Sequence, residues 1–349
     1  MYLYDSKTSQ ALEDEIIKNQ KSGFLLMMRA ASCILSHVKK KLTGRLWCIA
    51  GPGNNGGDAI ATAALALVEN IDVVCVRLAD STGDAAFALD FAKKLNLSLK
   101  TSLSELASLR EGDVILDGIF GTGISRVPNG KMLKAIEWIN KAHDSGISVI
   151  AVDVPSGLNA TNGQTFGTAV RADLTVMCLT PKQGCYTGKS PELTGELYFC
   201  DLGIKNRSDI VCGNSKLILP ENLTLPVRSR ISHKGIYGNV LILGGWGEME
   251  GAGFLAGIAA LRVGAGKVYI CGPSSKRQPF EIISVPKKIE IFKSMISKMN
   301  VVIAGPGLGE QSDKFLEIAW NADVPLVLDA DGLNWLSRKT TLIRRKEIW

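Results

Sequence analysis

The chain has 349 residues, 46% of them hydrophobic and 21% charged, which is enough apolar material for two soluble globular domains with cores of their own. Its formal charge of +6 is scattered apart from residues 39–41 and 344–346, with no aromatic residues interleaved. No nucleic-acid partner is therefore expected, whereas a phosphate-bearing small molecule suits the charge.

Eight cysteines without a CxxC pair, and three histidines far apart, argue against a zinc site and fit a reducing cytoplasm. Residues 10–40 read as one or two amphipathic helices packed on the first domain. Within them, residues 23–35 are apolar but include Arg29 and are too short to span a bilayer, so no membrane partner is expected. From residue 45, short apolar runs alternate with helical segments. Strands are expected at 45–50 (RLWCIA), 71–76 (IDVVCV), 113–117 (DVILD) and 147–153 (ISVIAVD), and helices at 58–69, 84–94 and 129–145. Nearly continuous apolar strands separated by helices predict a doubly wound, Rossmann-like parallel sheet covered on both faces.

The stretch 51–58, GPGNNGGD, falls between the first of these strands and its helix. Glycines there let the backbone take positive φ and approach a ligand, and a helix start offers unpaired N–H groups to an anion. Gly51, Gly53 and Gly56 satisfy a dinucleotide-loop spacing, which is weak alone. A plain turn with Asp58 as helix cap is the competing reading. Asp117 and Asp153 also end apolar strands, leading into 118–127 (GIFGTGISRV) and 154–157 (VPSG). A carboxylate at such a place needs a partner, water or a cation. In open α/β sheets ligands bind beyond the carboxyl ends of the strands, so the three loops should converge on one site. Asp117, Ser156 and the Asn55 carbonyl are oxygen donors suited to a hard cation.

NNGGD, then DGIFGTGISR, then DVPSGLNATNGQ resembles the N-terminal domain of the NAD(P)H-hydrate epimerases, and the likeness continues through 172–180 (ADLTVMCLT), 182–188 (KQGCYTG) and 195–203 (GELYFCDLG). The resemblance implies a small-molecule substrate, hydrated NADH or NADPH. It would be contacted by Asn54, Asn55, Gly56, Gly57 and Asp58, by Asp153, and by the loop Gly121, Thr122, Gly123, Ile124, Ser125, Arg126 and Val127. It also assigns a potassium ion to Asn55, Asp117 and Ser156. Epimerising the hydrated ring carbon needs its C–O bond loosened and remade on the other face, and Asp153 is the candidate catalytic acid and base. One departure is Ala59, where the family commonly has glycine; alanine is harmless if residue 59 is helical and strained if it needs positive φ.

Residues 206–232 are polar and bear prolines, so the domains are expected at 1–215 and 216–349. Beyond, the pattern restarts, with strands at 239–244, 267–271, 301–309 and 324–332 and a helix at 249–263. HKG at 233–235, the glycine-rich 244–253 and GPGLG at 305–309 resemble the ADP- or ATP-dependent NAD(P)H-hydrate dehydratases, which have a ribokinase-like fold. Ala252 and Gly307 match substrate-contacting positions of that family. The family's later phosphate loop and catalytic aspartate have no counterpart before residue 349. The expectation is therefore an incomplete ribokinase-like domain, loosely packed from about residue 216, that does not use ADP or ATP to dehydrate the substrate.

Two other readings are weighed. An ordinary NAD-dependent oxidoreductase would want an acidic residue closing the second strand, where Arg77 follows Val76. A non-catalytic scaffold would have no use for strand-end carboxylates. Homo-oligomerisation is compatible with every reading.

Overall fold

The computed structural model describes residues 1–20, 22–103, 109–224, 227–272, 275, 277–309 and 312–339. They form two units, Met1–Thr224 and Leu225–Trp349, each with its own sheet and core. The first unit runs β1 (Tyr2–Leu3), α1 (Ser6–Gln20), α2 (Gly23–Lys41), β2 (Leu46–Ala50), α3 (Asn54–Val68), β3 (Val73–Arg77), α4 (Asp84–Lys94), β4 (Leu99–Lys100), β5 (Val114–Gly118) and α5 (Gly130–Asp144). It continues with β6 (Ser148–Val152), β7 (Leu174–Cys178), β8 (Glu196–Cys200), α6 (Arg207–Ile210) and β9 (Ser215–Lys216).

Seven strands pair in the order β4-β3-β2-β5-β6-β7-β8, every pair parallel. Alternate residues of each strand enter different cores. Leu46, Cys48 and Ala50 pack with α2, α3 and α4, while Trp47 and Ile49 pack with α5. Burial on both faces explains why these strands read as unbroken apolar runs. The α2 helix shows the local logic. Ser22 caps it by accepting a hydrogen bond from Leu25 N at 3.1 Å, and Lys39, Lys40 and Lys41 crowd its last turn. Its buried face runs Met27, Ala30, Ala31, Ile34, Leu35 and Val38.

The chain divides later than the 215/216 boundary expected from composition, because Lys216 pairs with Tyr2 in a two-stranded antiparallel ribbon of the first unit. Pro226 and the basic run 344–346 lie outside the described residues.

The second unit contains β10 (Asn239–Leu243), α7 (Glu250–Val263), β11 (Lys267–Cys271), β12 (Ile282–Val285), α8 (Ile289–Ile296), β13 (Val301–Ala304), α9 (Asp313–Asn321), β14 (Leu326–Leu328) and α10 (Asp331–Ser337). Its parallel sheet has the order β12-β11-β10-β13-β14. Leu241, Leu243, Val302, Phe292 and Trp335 are buried on one face, and Ile242, Ile270 and Phe254 on the other. None of the described residues 216–238 is buried, but beyond them the expected loose packing is not what the structure shows, since side chains from five strands and four helices close two cores there.

Asp113, just before β5, is a structural clasp at the sheet edge away from the glycine loop. Its carboxylate accepts from Arg45 N (2.8 Å), Trp47 Nε1 (2.9 Å) and Arg110 N (3.0 Å). Burial pushes its carboxyl up, but these donors outweigh it and hold it below the ordinary aspartate range. Asp113→Ala should lower unfolding stability by about 2 kcal/mol near neutral pH, as expected for hydrogen bonds to a buried charge. Because the folded-state carboxyl is depressed, that contribution is present above the unfolded value and is lost as pH falls through the folded one. Urea unfolding of both proteins at neutral and acid pH would show the gap shrinking on acidification.

Candidate functional site

The strand order reverses between β2 and β5, the position where open α/β sheets bind ligands. The glycine stretch after β2 differs from its expected form in one respect. Helix α3 already starts at Asn54, capped by Gly53, so NNGGD is its first turn and Asp58 is no cap. None of Gly51, Gly53, Gly56 and Gly57 uses positive φ. Close approach is what Gly51 and Gly56 serve. A Cβ on Gly51 would lie 1.9 Å from the Ile119 carbonyl oxygen, and one on Gly56 would lie 2.0 Å from the Gly51 carbonyl oxygen. Ala59 is helical and buried, and a Cβ on Gly118 would stand 2.5 Å from its methyl, so alanine fits there without strain.

Asp117 and Ser156 are both fully buried and directly joined. Asp117 Oδ2 accepts from Ser156 N at 2.8 Å, and Oδ1 accepts from Ser156 Oγ at 2.6 Å and Ile119 N at 3.2 Å. Phe120 N donates to Ser156 Oγ at 2.8 Å, and Asn55 Nδ2 donates to the Phe120 carbonyl at 3.0 Å. The three residues expected at a cation thus share one network around Phe120. Burial pushes the Asp117 carboxyl up to about 6 in spite of its hydrogen bonds. Among the described residues no basic side chain pairs with it, and no group of three or more His, Cys, Asp and Glu is arranged to hold a metal ion. An uncompensated buried carboxylate beside neutral oxygens fits a hard monovalent cation.

Asp153 leaves β6 with φ 66°, and Leu179 leaves β7 with φ 64°. Such backbone is tolerable for aspartate and costly for leucine, and it tends to occur at functional sites. Lys182 is 2% exposed. Its Nζ donates to Asp153 Oδ1 in a very short contact and to the Cys178 carbonyl at 2.5 Å. Cys178 N also donates to Asp153 Oδ1, at 3.0 Å. Tyr4 holds the lysine segment from behind, with Tyr4 N donating to Pro181 O and Gln183 N donating to Tyr4 O.

Asp153, Cys178, Leu179 and Lys182 line a cavity of about 670 Å³, within the range of about 300–1,000 Å³ usual for cofactor-sized sites, whereas Asp117 and Ser156 lie behind its wall. Asn54, Asn55, Asp58 and Asp153 are on its wall, as is every residue from Gly121 to Val127. Gly56 and Gly57 are not; they pack behind the helix start, Gly57 against Met27. Glu13 reaches the cavity from α1 and accepts from Asn54 Nδ2 at 3.3 Å. In the second unit Ala252 and Gly307 are neighbours, since a Cβ on Gly307 (φ 57°) would come 3.0 Å from that of Ala252. Asp331 Oδ2 accepts from Leu308 N (3.0 Å) and Gly309 N (2.8 Å), which fixes the GPGLG loop.

Two family models match the chain: YjeF-related protein N-terminus over residues 24–184, and NAD(P)H-hydrate dehydratase over residues 240–348. The bifunctional NAD(P)H-hydrate repair enzyme Nnr of Coxiella burnetii is 34% identical over 370 residues, covering 99% of this chain and 73% of that protein. The chain belongs to the bifunctional NAD(P)H-hydrate repair enzyme family. The relatives of the same name from Moorella thermoacetica (31% identical, 92% and 67% covered) and Escherichia coli (32%, 89% and 62%) agree with this.

Within this member of the repair-enzyme family, sequence reasoning missed Lys182 and Glu13. Lys182 follows an apolar strand and a proline, and a lysine in that setting is a signal that could have been used. Glu13 carried none, because the buried Leu12 and Ile16 of α1 say which face packs but not what the opposite edge meets. The glycine geometry gives a direct test in this NAD(P)H-hydrate repair family member. Gly56→Ala improves helix propensity yet drives a methyl onto backbone, so it should cost about 1–3 kcal/mol. Gly53→Ala meets nothing within 4 Å and should stay within about 0.5 kcal/mol of the parent. Thermal melting of both variants checks the contrast.

Proposed function

We propose that the first unit interconverts the R and S epimers of hydrated NADH and NADPH. The observation that carries this reading is Asp153, held by Lys182 on the wall of a cofactor-sized cavity at the reversal of strand order. The substrate's phosphates suit the start of α3 at Asn54 and Asn55, where a helix offers amides without intrahelical acceptors, and the loop from Gly121 to Val127, which includes the exposed Arg126. The hydrated ring carbon carries a hydroxyl and a ring nitrogen. When that hydroxyl is protonated, the nitrogen lone pair expels water; water then returns to the opposite face and gives up a proton. Asp153 is the group we assign to this proton traffic, with Lys182 fixing its position.

Asn55, Asp117 and Ser156 would hold a potassium ion, with the Phe120 carbonyl beside them. Bound there, it would supply fixed positive charge under the phosphate loops. An oxidoreductase reading has less support, since β3 ends in Arg77, paired with Asp80 at 3.7 Å, where a ribose-binding acid would stand.

For the second unit, the expectation that it does not dehydrate the substrate is given up: the match to the NAD(P)H-hydrate dehydratase model and the adjacency of Ala252 and Gly307 support an ADP- or ATP-dependent dehydratase reading instead. The amides of Leu308 and Gly309 do not suit a phosphate, because Asp331 already takes both.

A mixture of the two epimers, followed by chromatography with and without ATP, separates the activities. Interconversion without ATP is expected of the first unit, and recovery of NADH only with ATP is expected of the second. Asp153→Asn, which keeps an acceptor for the buried Lys182 where Asp153→Ala would strand it, should lose about 10²–10⁴-fold in epimerisation; unchanged turnover would remove Asp153 from the mechanism. Replacing potassium with tetramethylammonium should lower the melting temperature of the first unit, and Asp117→Asn should abolish that difference. Equal melting of the parent protein in both salts would leave Asp117 as a turn residue.

A further inference from the structure

Three carboxyl groups and one ammonium meet on the cavity wall: Glu13 from α1, Asp58 from α3, Asp153 after β6 and Lys182 after β7. They are not equivalent. Asp153 Oδ1 already accepts from an ammonium and a backbone amide, so it is built as an acceptor. Glu13 has Asn54 Nδ2 as donor. Asp58 has no side-chain hydrogen bond among the described residues, although it lies on the same wall and faces both other carboxyls. With all three ionised, the wall would carry a net charge of about −2 by formal count, opposite an incoming pyrophosphate, and that excess is relieved by keeping a proton.

We infer that Asp58 is the proton donor of the epimerisation, and that Asp153 is the acceptor. This inference rests on the epimerase reading and refines it. In the forward step the Asp58 proton passes to the ring hydroxyl, the C–O bond breaks with its electron pair leaving on water, and the ring nitrogen takes up the positive charge. In the return step water adds to the other face, its oxygen forms the new C–O bond, and its proton goes to Asp153. A final transfer of that proton to Asp58 restores the starting state, so no oxidant, reductant or other co-reactant is consumed. Two carboxyls held in contrasting environments can divide acid and base duties in this way.

The groups facing Asp58 are Glu13, Asp153, Lys182 and Cys178, with Asp84 of α4 and Arg126 elsewhere on the cavity wall. Burial, then the charges of Asp153 and Glu13, raise the Asp58 carboxyl well above its ordinary value, with Lys182 opposing. The donor form therefore persists to higher pH than that of an ordinary aspartic acid and is lost as pH climbs through the elevated value, which gives epimerisation an alkaline limb.

The test measures kcat and KM for one purified epimer from pH 5 to 9, corrected for the enzyme-free rate, in the full-length chain, Asp58→Asn and Glu13→Gln. Asp58→Asn should lose about 10²–10⁴-fold in kcat with little change in KM and should show no alkaline limb. Glu13→Gln removes a facing negative charge, so its alkaline limb should move to lower pH; this holds even if Asp58→Asn fails to fold. An Asp58→Asn protein with kcat within about threefold of the parent, or with its loss confined to KM, overturns the assignment. So does a Glu13→Gln limb that stays in place. A parent chain that does not interconvert epimers at all would instead sink the epimerase reading, and this inference with it.

Discussion

Neither oxygen of the Asp117 carboxylate is free, and through them the ends of two neighbouring strands are tied together. Oδ2 takes the amide of Ser156, and Oδ1 takes its hydroxyl and the amide of Ile119. The serine hydroxyl then meets Phe120, and Phe120 meets Asn55 at the start of α3. One buried charge thereby sets the spacing of the loops after β2, β5 and β6. Leaving a polar group of the fully buried Asp117 or Ser156 unpaired would cost about 1–3 kcal/mol, so the loops are held together more tightly than loops usually are. The cavity above inherits that rigidity, and so does the separation between α3 and the turn that carries Asp153.

Much of this arrangement was legible beforehand because the sheet is buried on both faces. The apolar runs of β2, β5 and β6 stand out, and the polar residues that end them are marked by contrast with what precedes them. The helix limits of α4 were readable for a similar reason, with Asp84 in its first turn and Lys93 and Lys94 in its last. The position of NNGGD within its element was less readable. Glycine pairs suggest an irregular loop, but here Gly56 and Gly57 lie in a helix and are glycine because Gly51 and Met27 leave no room for a side chain. That constraint comes from residues distant in sequence. Lys182 and Glu13 were hidden in the same way, since their meaning lies in Asp153, Asn54 and Asp58 across the cavity.

The second unit shows the reverse balance. Its strands at β10 and β11 were plain, whereas β12 and α8 fell in a stretch whose apolar residues are too interrupted to announce a period. Yet β12 pairs with β11 in register, Val268 opposite Ile282, and Phe292 of α8 is completely buried. Tertiary packing supplies there what local pattern does not. The same point explains why an expectation of looseness failed. It followed from motifs not found, while packing follows from the side chains that are present.

The two-residue ribbon of β1 and β9 has a consequence for how the protein is made. Tyr4 grips Pro181 and Gln183, and the amino group of Met1 reaches Leu217, 216 positions along the chain. Local helices such as α2 can form as soon as they are synthesised, but this seam cannot. At about 5–20 residues per second, the ribosome reaches Lys182 roughly 10–35 s after Tyr4. Throughout that interval the opening segment has no partner, and contacts between such distant residues are the slow ones to form. The backbone that steadies the cavity's lysine is therefore synthesised well before its partners and is among the last to dock.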